Sequence, residues 1–419
     1  MRPYIILNGN SSRGGTMNDI YSAVKVTDHV YWVGAIDWTI RDFHGYTTPR
    51  GSTYNAYLVM ADEITLIDTV KKPFMDEMLA RIKSVVDPSK IKYIVSNHSE
   101  LDHTGSLPDV IDFIKPQKVF ASGVGTKTLK DLFHDEREII AVENGQSLNL
   151  GNMNLTFMET RMIHWPDSMF TYLDVDELLF SQDAFGMHLA TLERFADEIP
   201  VSTLEYEGAT YYANIVLPYS PIVLKALEKV AASGLKISVI APDHGPIWRK
   251  DIGWIIDLYK KWALQKPTAK AVVIYATMWH STEKMARIIS EALAQAGVKV
   301  SLISMNETHR SEAVYEVLDA GALIVGSPTL NNNILPQMAD VMTYLKGLKP
   351  VNKIGAAFGS FGWSGESVKH LEAMLKEMKV DIASESVAVK HVPGADELDQ
   401  CQKLGKTVAA KLLEKVNSQ

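Results

Sequence analysis

Apolar and polar positions alternate along residues 24–38, and two further strand-length apolar runs, 54–60 and 64–69, flank Ala61-Asp62-Glu63. Runs of this length and spacing predict a meander, the antiparallel half of a sheet. Met75, Met78, Leu79, Ile82 and Val86 then fall close to one helical face, so an amphipathic helix is expected over residues 73–86. Residues 91–95 are mostly β-branched and aromatic, a buried strand, and Ser96-Asn97 is its exit into a loop. Further strands are expected around Val119, Ile139, Leu155 and Phe170, mixed with short helices. Two packed sheets with helices outside accommodate this mixture.

The pattern changes near residue 265. Residues 254–264 read as a helix, Gln265-Lys266-Pro267-Thr268 as a polar break, and residues 270–276 as an apolar strand. We place a boundary at Pro267, giving unlike domains over residues 17–266 and 267–419. Residues 1–16 read as an N-terminal extension, tag-derived or disordered, with Met17 the candidate start.

In the second half, the apolar run through Ala276 empties into Thr277-Met278-Trp279-His280-Ser281-Thr282. A helix follows in which Met285, Ile288, Ile289, Ala292, Leu293 and Ala296 recur at helical spacing, and Gly297 stands where a C-cap glycine belongs. Strand, hydroxyl-rich loop and helix N-terminus make an anion site, because unpaired N–H groups and the positive end of the helix face the loop. Residues 322–326 run likewise into Ser327-Pro328-Thr329-Leu330-Asn331, and residues 354–358 into Gly359-Ser360-Phe361-Gly362-Trp363-Ser364-Gly365. Ligands of open α/β sheets bind at the carboxyl ends of strands, and the last loop offers flat rings and flexible glycines. The first loop lacks the glycines of a Walker or Rossmann fingerprint. It resembles the flavodoxin phosphate loop, whose Ser and Thr hydroxyls hold the FMN phosphate.

Composition narrows the picture modestly. The formal net charge of -8 comes with no basic stripe, which argues against a nucleic-acid partner. The single cysteine, Cys401, excludes an intramolecular disulfide and any four-cysteine metal site within the chain. No apolar run is long enough to span a bilayer, and the N-terminal apolar patch is too brief for a signal peptide, so a cytoplasmic protein without a membrane partner is expected.

The densest chemistry lies in His98-Ser99-Glu100-Leu101-Asp102-His103, at the end of the strand over residues 91–95. His164, Asp183 and His244 each follow a later apolar run. Seven O and N donors at strand ends suffice for two metals sharing a carboxylate. Asp243, beside His244, is the rival to Asp183, and we choose Asp183 as the bridge. His29, His134, His188, His309, His370 and His391 are expected at the surface without a role.

His-x-Glu-x-Asp-His followed by a distant His, Asp and His resembles the metallo-β-lactamase fold as used by the flavodiiron proteins. Hydrolytic members usually carry His-x-His-x-Asp-His. Glu100 in place of the second His makes the site harder and more anionic, which suits iron cycling between ferrous and ferric states better than zinc. The resemblance covers the chain from about Val24 onward and implies an αββα metallo-β-lactamase-like sandwich followed by a flavodoxin-like doubly wound parallel sheet.

It also implies two non-haem irons, one held by His98, Glu100 and His164, the other by Asp102, His103 and His244, with Asp183 bridging. His44 and Tyr212 match family positions beside that pocket. FMN would occupy the three loops of the second domain, His280 included, and pass electrons to irons that reduce nitric oxide to nitrous oxide, dioxygen to water, or both. Rubredoxin, or a reduced deazaflavin coenzyme, is the implied donor. A head-to-tail homodimer, with the tetramer left open, is the implied assembly, and Trp363 could reach the partner's pocket. The alternatives are a dizinc hydrolase of the lactamase or glyoxalase II type fused to a flavodoxin, and a non-catalytic O2 or NO sensor.

Overall fold

The computed structural model describes residues 20–134 and 136–418. The proposed N-terminal extension and Met17 lie outside the described residues. Contacts group the described chain into two compact units, one of residues 20–36, 53–159 and 167–180, the other of 37–52, 160–166 and 181–418.

In the first unit the expected meander is present. Val30–Trp32, Tyr57–Val59 and Thr65–Ile67 pair antiparallel in turn, and the sheet then continues in parallel through Tyr93–Ser96, Lys118–Ser122 and Ile140–Val142. The amphipathic segment is helical over Met75–Lys83, shorter than expected because Lys72–Phe74 forms a 3-10 turn around Pro73. Met78, Leu79 and Ile82 from this helix join Leu58, Leu66 and Ile94 from the sheet in one apolar core. Ser147–Asn149, Asn154–Glu159, Met169–Leu173 and Leu178–Gln182 form a second, antiparallel ladder. The apolar run before His164 is a strand only as far as Glu159, leaving His164 on a turn rather than at a strand end.

In the second unit, Thr268–Tyr275 is the centre of a parallel sheet, flanked by Lys299–Ser304 and Ala320–Gly326. Ile354–Phe361 and then Val387–Lys390 extend the sheet on the Ala320–Gly326 side. The three central strands, Thr268–Tyr275, Ala320–Gly326 and Ile354–Phe361, are buried along most of their length. Helices cover them: Met285, Ala286, Ile289 and Leu293 of Ser281–Gln295 pack into the same core as Leu404, Val408 and Leu412 of Ala395–Asn417. No helix among the described residues is long and apolar enough to cross a membrane.

Candidate functional site

The strand Tyr93–Ser96 delivers a loop whose backbone is held from below. Asn97 donates from its backbone N–H to Asp68 Oδ1 at 2.7 Å and from its side chain to Asp68 Oδ2 at 2.8 Å, and accepts the Thr171 hydroxyl at 2.6 Å. Burial pushes the Asp68 carboxyl up to about 6, against the pull of the Asn97 hydrogen bonds. The loop then winds into the single turn Leu101–Thr104, which puts Asp102 and His103 on consecutive helical positions.

Donor atoms turn toward one another at short range. His98 Nε2 lies 3.2 Å from Glu100 Oε2, His164 Nε2 lies 3.0 Å from Asp183 Oδ2, and His244 Nε2 lies 3.4 Å from Asp183 Oδ1. The opposite ring nitrogen of His98, Nδ1, is 3.6 Å from Asp167 Oδ1, and Asp167 Oδ2 accepts the Ser99 N–H at 2.6 Å. Burial pushes the Asp167 carboxyl up, but His98 and Ser99 outweigh it and the group titrates below its ordinary value. Gln182 ties two ligand loops together: its amide NH2 donates to the Ile163 carbonyl and its oxygen accepts the Asp183 N–H at 2.7 Å.

Two groups of buried donors result. His98, Glu100, His164 and Asp183 offer ligand atoms within 4.8 Å of one another, and so do Asp102, His103 and His244. Asp243, the rival carboxylate, is in neither group. Four imidazoles and three carboxylates, six of the seven buried and His164 largely so, leave charges that only cations or protons can offset. This donor set fits two hard-to-borderline metal ions, and iron in particular.

The remaining candidates separate. His44 sits at the tip of a hairpin formed by Asp42–Phe43 and Tyr46–Thr47, its ring 4.2 Å from that of Phe43. Tyr212 is fully buried, 3.0 Å from Ser220 Oγ and packed on Tyr259 and Trp262. Its neighbour Tyr211 faces the donors instead, with ring centroids 5.2 Å from His188 and 6.2 Å from His244. His188, expected at the surface, is buried, its ring 4.6 Å from that of His244. Nothing in Gly186-Met187-His188-Leu189 marks it, because its neighbours carry no strand or helix period.

The three loops of the second domain surround a cleft of about 660 Å³. Met278, Trp279 and Ser281 line one side, residues 328–331 another and residues 360–364 a third. Thr277, His280, Thr282, Ser327, Gly359 and Gly365 are not part of this lining. Among them Thr282 shares a 3.0 Å hydrogen bond with Ser360, and the buried Thr277 hydroxyl finds no partner among the described residues. An unpartnered hydroxyl beside the N-terminus of Ser281–Gln295 fits a phosphate acceptor. The exposed rings of Trp279 and Trp363 line this cleft and offer flat surfaces on which a planar ring could stack. His391 and Val392 also line it. They follow the parallel strand Val387–Lys390, so the carboxyl-end rule that found the other loops applies to this one too.

Comparison with known proteins gives two family matches: the ODP family beta lactamase over residues 53–245 and flavodoxin over residues 273–405. The chain is 48% identical over 398 residues to a rubredoxin-oxygen oxidoreductase of Megalodesulfovibrio gigas, covering 94% of this chain and 99% of the relative. It is 44% identical to a nitric oxide reductase of Moorella thermoacetica, covering 93% and 99%. Among solved structures, the flavodiiron protein from Giardia intestinalis superposes with a TM-score of 0.91 at 34% identity, over 95% of this chain and 98% of that one.

Proposed function

The chain belongs to the flavodiiron proteins, and from that premise we propose that it is a reductase of nitric oxide, dioxygen or both, working through a diiron centre and FMN. The observation that carries the reading is the pair of buried donor groups, each containing two histidines and at least one carboxylate. His98, Glu100 and His164 would hold one iron and Asp102, His103 and His244 the other, with Asp183 shared. When bound, FMN supplies electrons in quick succession and ferrous iron supplies open coordination positions for a diatomic gas.

The protein's own part is to hold charge, exclude water and limit access. Glu100, Asp102 and Asp183 offset the cationic charge and favour the ferric state, which adds driving force to electron release. Glu100 in place of an imidazole also removes the reading as a zinc hydrolase from first place, and FMN has no task in hydrolysis. In the flavin cleft, Thr277, Ser281 and the helix N-terminus bind phosphate, and the loop from Gly359 to Gly365 orients the ring.

Rubredoxin is the proposed donor, a reading that the name of the M. gigas relative supports; a reduced deazaflavin coenzyme is the second candidate. A head-to-tail dimer is the proposed assembly, so that the flavin of one subunit serves the irons of the other.

Metal and flavin analysis with rapid mixing tests the proposal. Two irons and one FMN per chain are expected, with the reduced flavin reoxidised within seconds by NO or O2 and not reoxidised by NO in His98→Ala. Two zincs, with thioester or lactam hydrolysis and no response to either gas, would return the site to hydrolysis.

A further inference from the structure

His244 presents Nε2 toward Asp183, so its Nδ1 must face something else. That something is Ser52, whose Oγ is 3.4 Å from His244 Nδ1 and 2.7 Å from His188 Nδ1. All three side chains are buried, with Ser52 at 0% exposure. Phe43, at 4.4 Å, Tyr46, at 5.6 Å, and Tyr211, at 5.2 Å between ring centroids, pack around His188 and hold its plane.

We infer that Ser52 and His188 are positioning residues for His244, a hydroxyl–imidazole relay that fixes which nitrogen of His244 is offered to metal. The inference rests on the reading of His244 as an iron ligand. Its logic is a chain of single choices. A neutral imidazole that gives Nε2 to a metal carries its proton on Nδ1, and that N–H donates to Ser52 Oγ. The Ser52 O–H then donates in the other direction, to His188 Nδ1, which fixes His188 as the Nε2–H tautomer. Each hydrogen bond along the chain has one polarity, set by the metal bond at its end. Removing Ser52 frees His244 to rotate and to swap tautomers.

His98 is backed differently. There a carboxylate, Asp167, faces Nδ1. A carboxylate makes an imidazole more basic than a hydroxyl does, so the two donor groups are inequivalent beyond their own ligands. The iron at His98 is expected to hold the ferric state more firmly, and the iron at His244 to stay ferrous in the half-reduced centre.

The test loads the full-length holoprotein, Ser52→Ala, Ser52→Thr, His188→Gln and His244→Ala with ferrous iron under argon. Iron and FMN per chain are measured after dialysis against rising concentrations of a ferrous chelator, and the half-reduced centre is recorded by EPR. Ser52→Ala is expected to release one of its two irons at about 10–100-fold lower chelator, with a changed EPR spectrum and full FMN. Ser52→Thr, which keeps the hydroxyl, is expected to restore both. His188→Gln, which leaves Ser52 and His244 themselves in place, is expected to shift the EPR spectrum in the same sense and decides the matter if Ser52→Ala fails to fold. Parent-like iron retention and spectra in Ser52→Ala and His188→Gln, with iron lost from His244→Ala, would overturn the relay alone. Both irons retained in His244→Ala would overturn the ligand reading beneath it.

Discussion

A buried carboxylate with no metal to hold shows how much the surroundings of a single residue decide. Glu207, on Val201–Tyr211, pairs with Arg50 at 3.1 Å, yet burial pushes its carboxyl up to about 7 from an ordinary value of 4.5, and Arg50 recovers only part of the cost. The folded chain therefore holds this proton more tightly than the unfolded one. As pH rises from about 4.5 to about 7, the unfolded state loses the proton first and stability falls, by on the order of 3 kcal/mol in all. Glu207→Gln is expected to flatten that descent and to raise the urea midpoint at pH 8, measured beside the parent at pH 5 and 8; an unchanged slope would contradict the assignment. Asp167→Asn is expected to keep the fold and FMN but to weaken iron retention about 10–100-fold, read by chelator competition. At this scale the sequence was legible where residues are dense: His98-x-Glu100-x-Asp102-His103 announces itself. Asp167, Ser52 and His188 did not, because a residue placed behind a candidate ligand, directly or through another side chain, leaves no spacing in the chain.

Elements place the candidate ligands, and strand ends do most of the placing. Apolar runs predicted the strands before His98, Asp183 and His244 and the three loops around the cleft, since a buried strand must be apolar and its exit must not be. The hairpin Asp42–Phe43/Tyr46–Thr47 was not legible, for two-residue strands carry no period. Long-range contacts hold it: Thr47 and Ser311 hydroxyls lie 3.0 Å apart, and Arg310 donates to the Gly45 carbonyl. The cleft between the three loops depends on backbones meeting closely, for a Cβ on Gly359 would stand 2.1 Å from the Ser327 carbonyl oxygen. Gly359→Ala is expected to push the third loop from the second at a cost of about 1–3 kcal/mol, and to lower FMN affinity tenfold or more while both irons stay bound. Fluorescence titration with FMN, beside metal analysis, checks it; parent-like FMN affinity would show that the loop has room.

The whole molecule brings together chemistry that no single element performs. Its family and its two-part architecture were legible because the ligand motif and the three loops lie in separate halves of the chain. The assembly is not written in one chain's pattern, so it calls for a test of its own. His98→Ala should keep FMN and lose iron, and Gly359→Ala should do the reverse. In a head-to-tail dimer the two inactive variants, mixed and allowed to exchange subunits, are expected to regain activity, because the flavin of one then faces the irons of the other. No recovery, with exchange verified by mass, would mean that electrons pass within one chain. The most direct test of the central reading is gas consumption at electrodes by the iron- and FMN-loaded protein, reduced anaerobically through rubredoxin and its reductase. Sustained consumption of NO, O2 or both, abolished in Asp183→Ala with its FMN intact, is the expected result. Consumption of neither gas by fully loaded, fully reduced protein would contradict it.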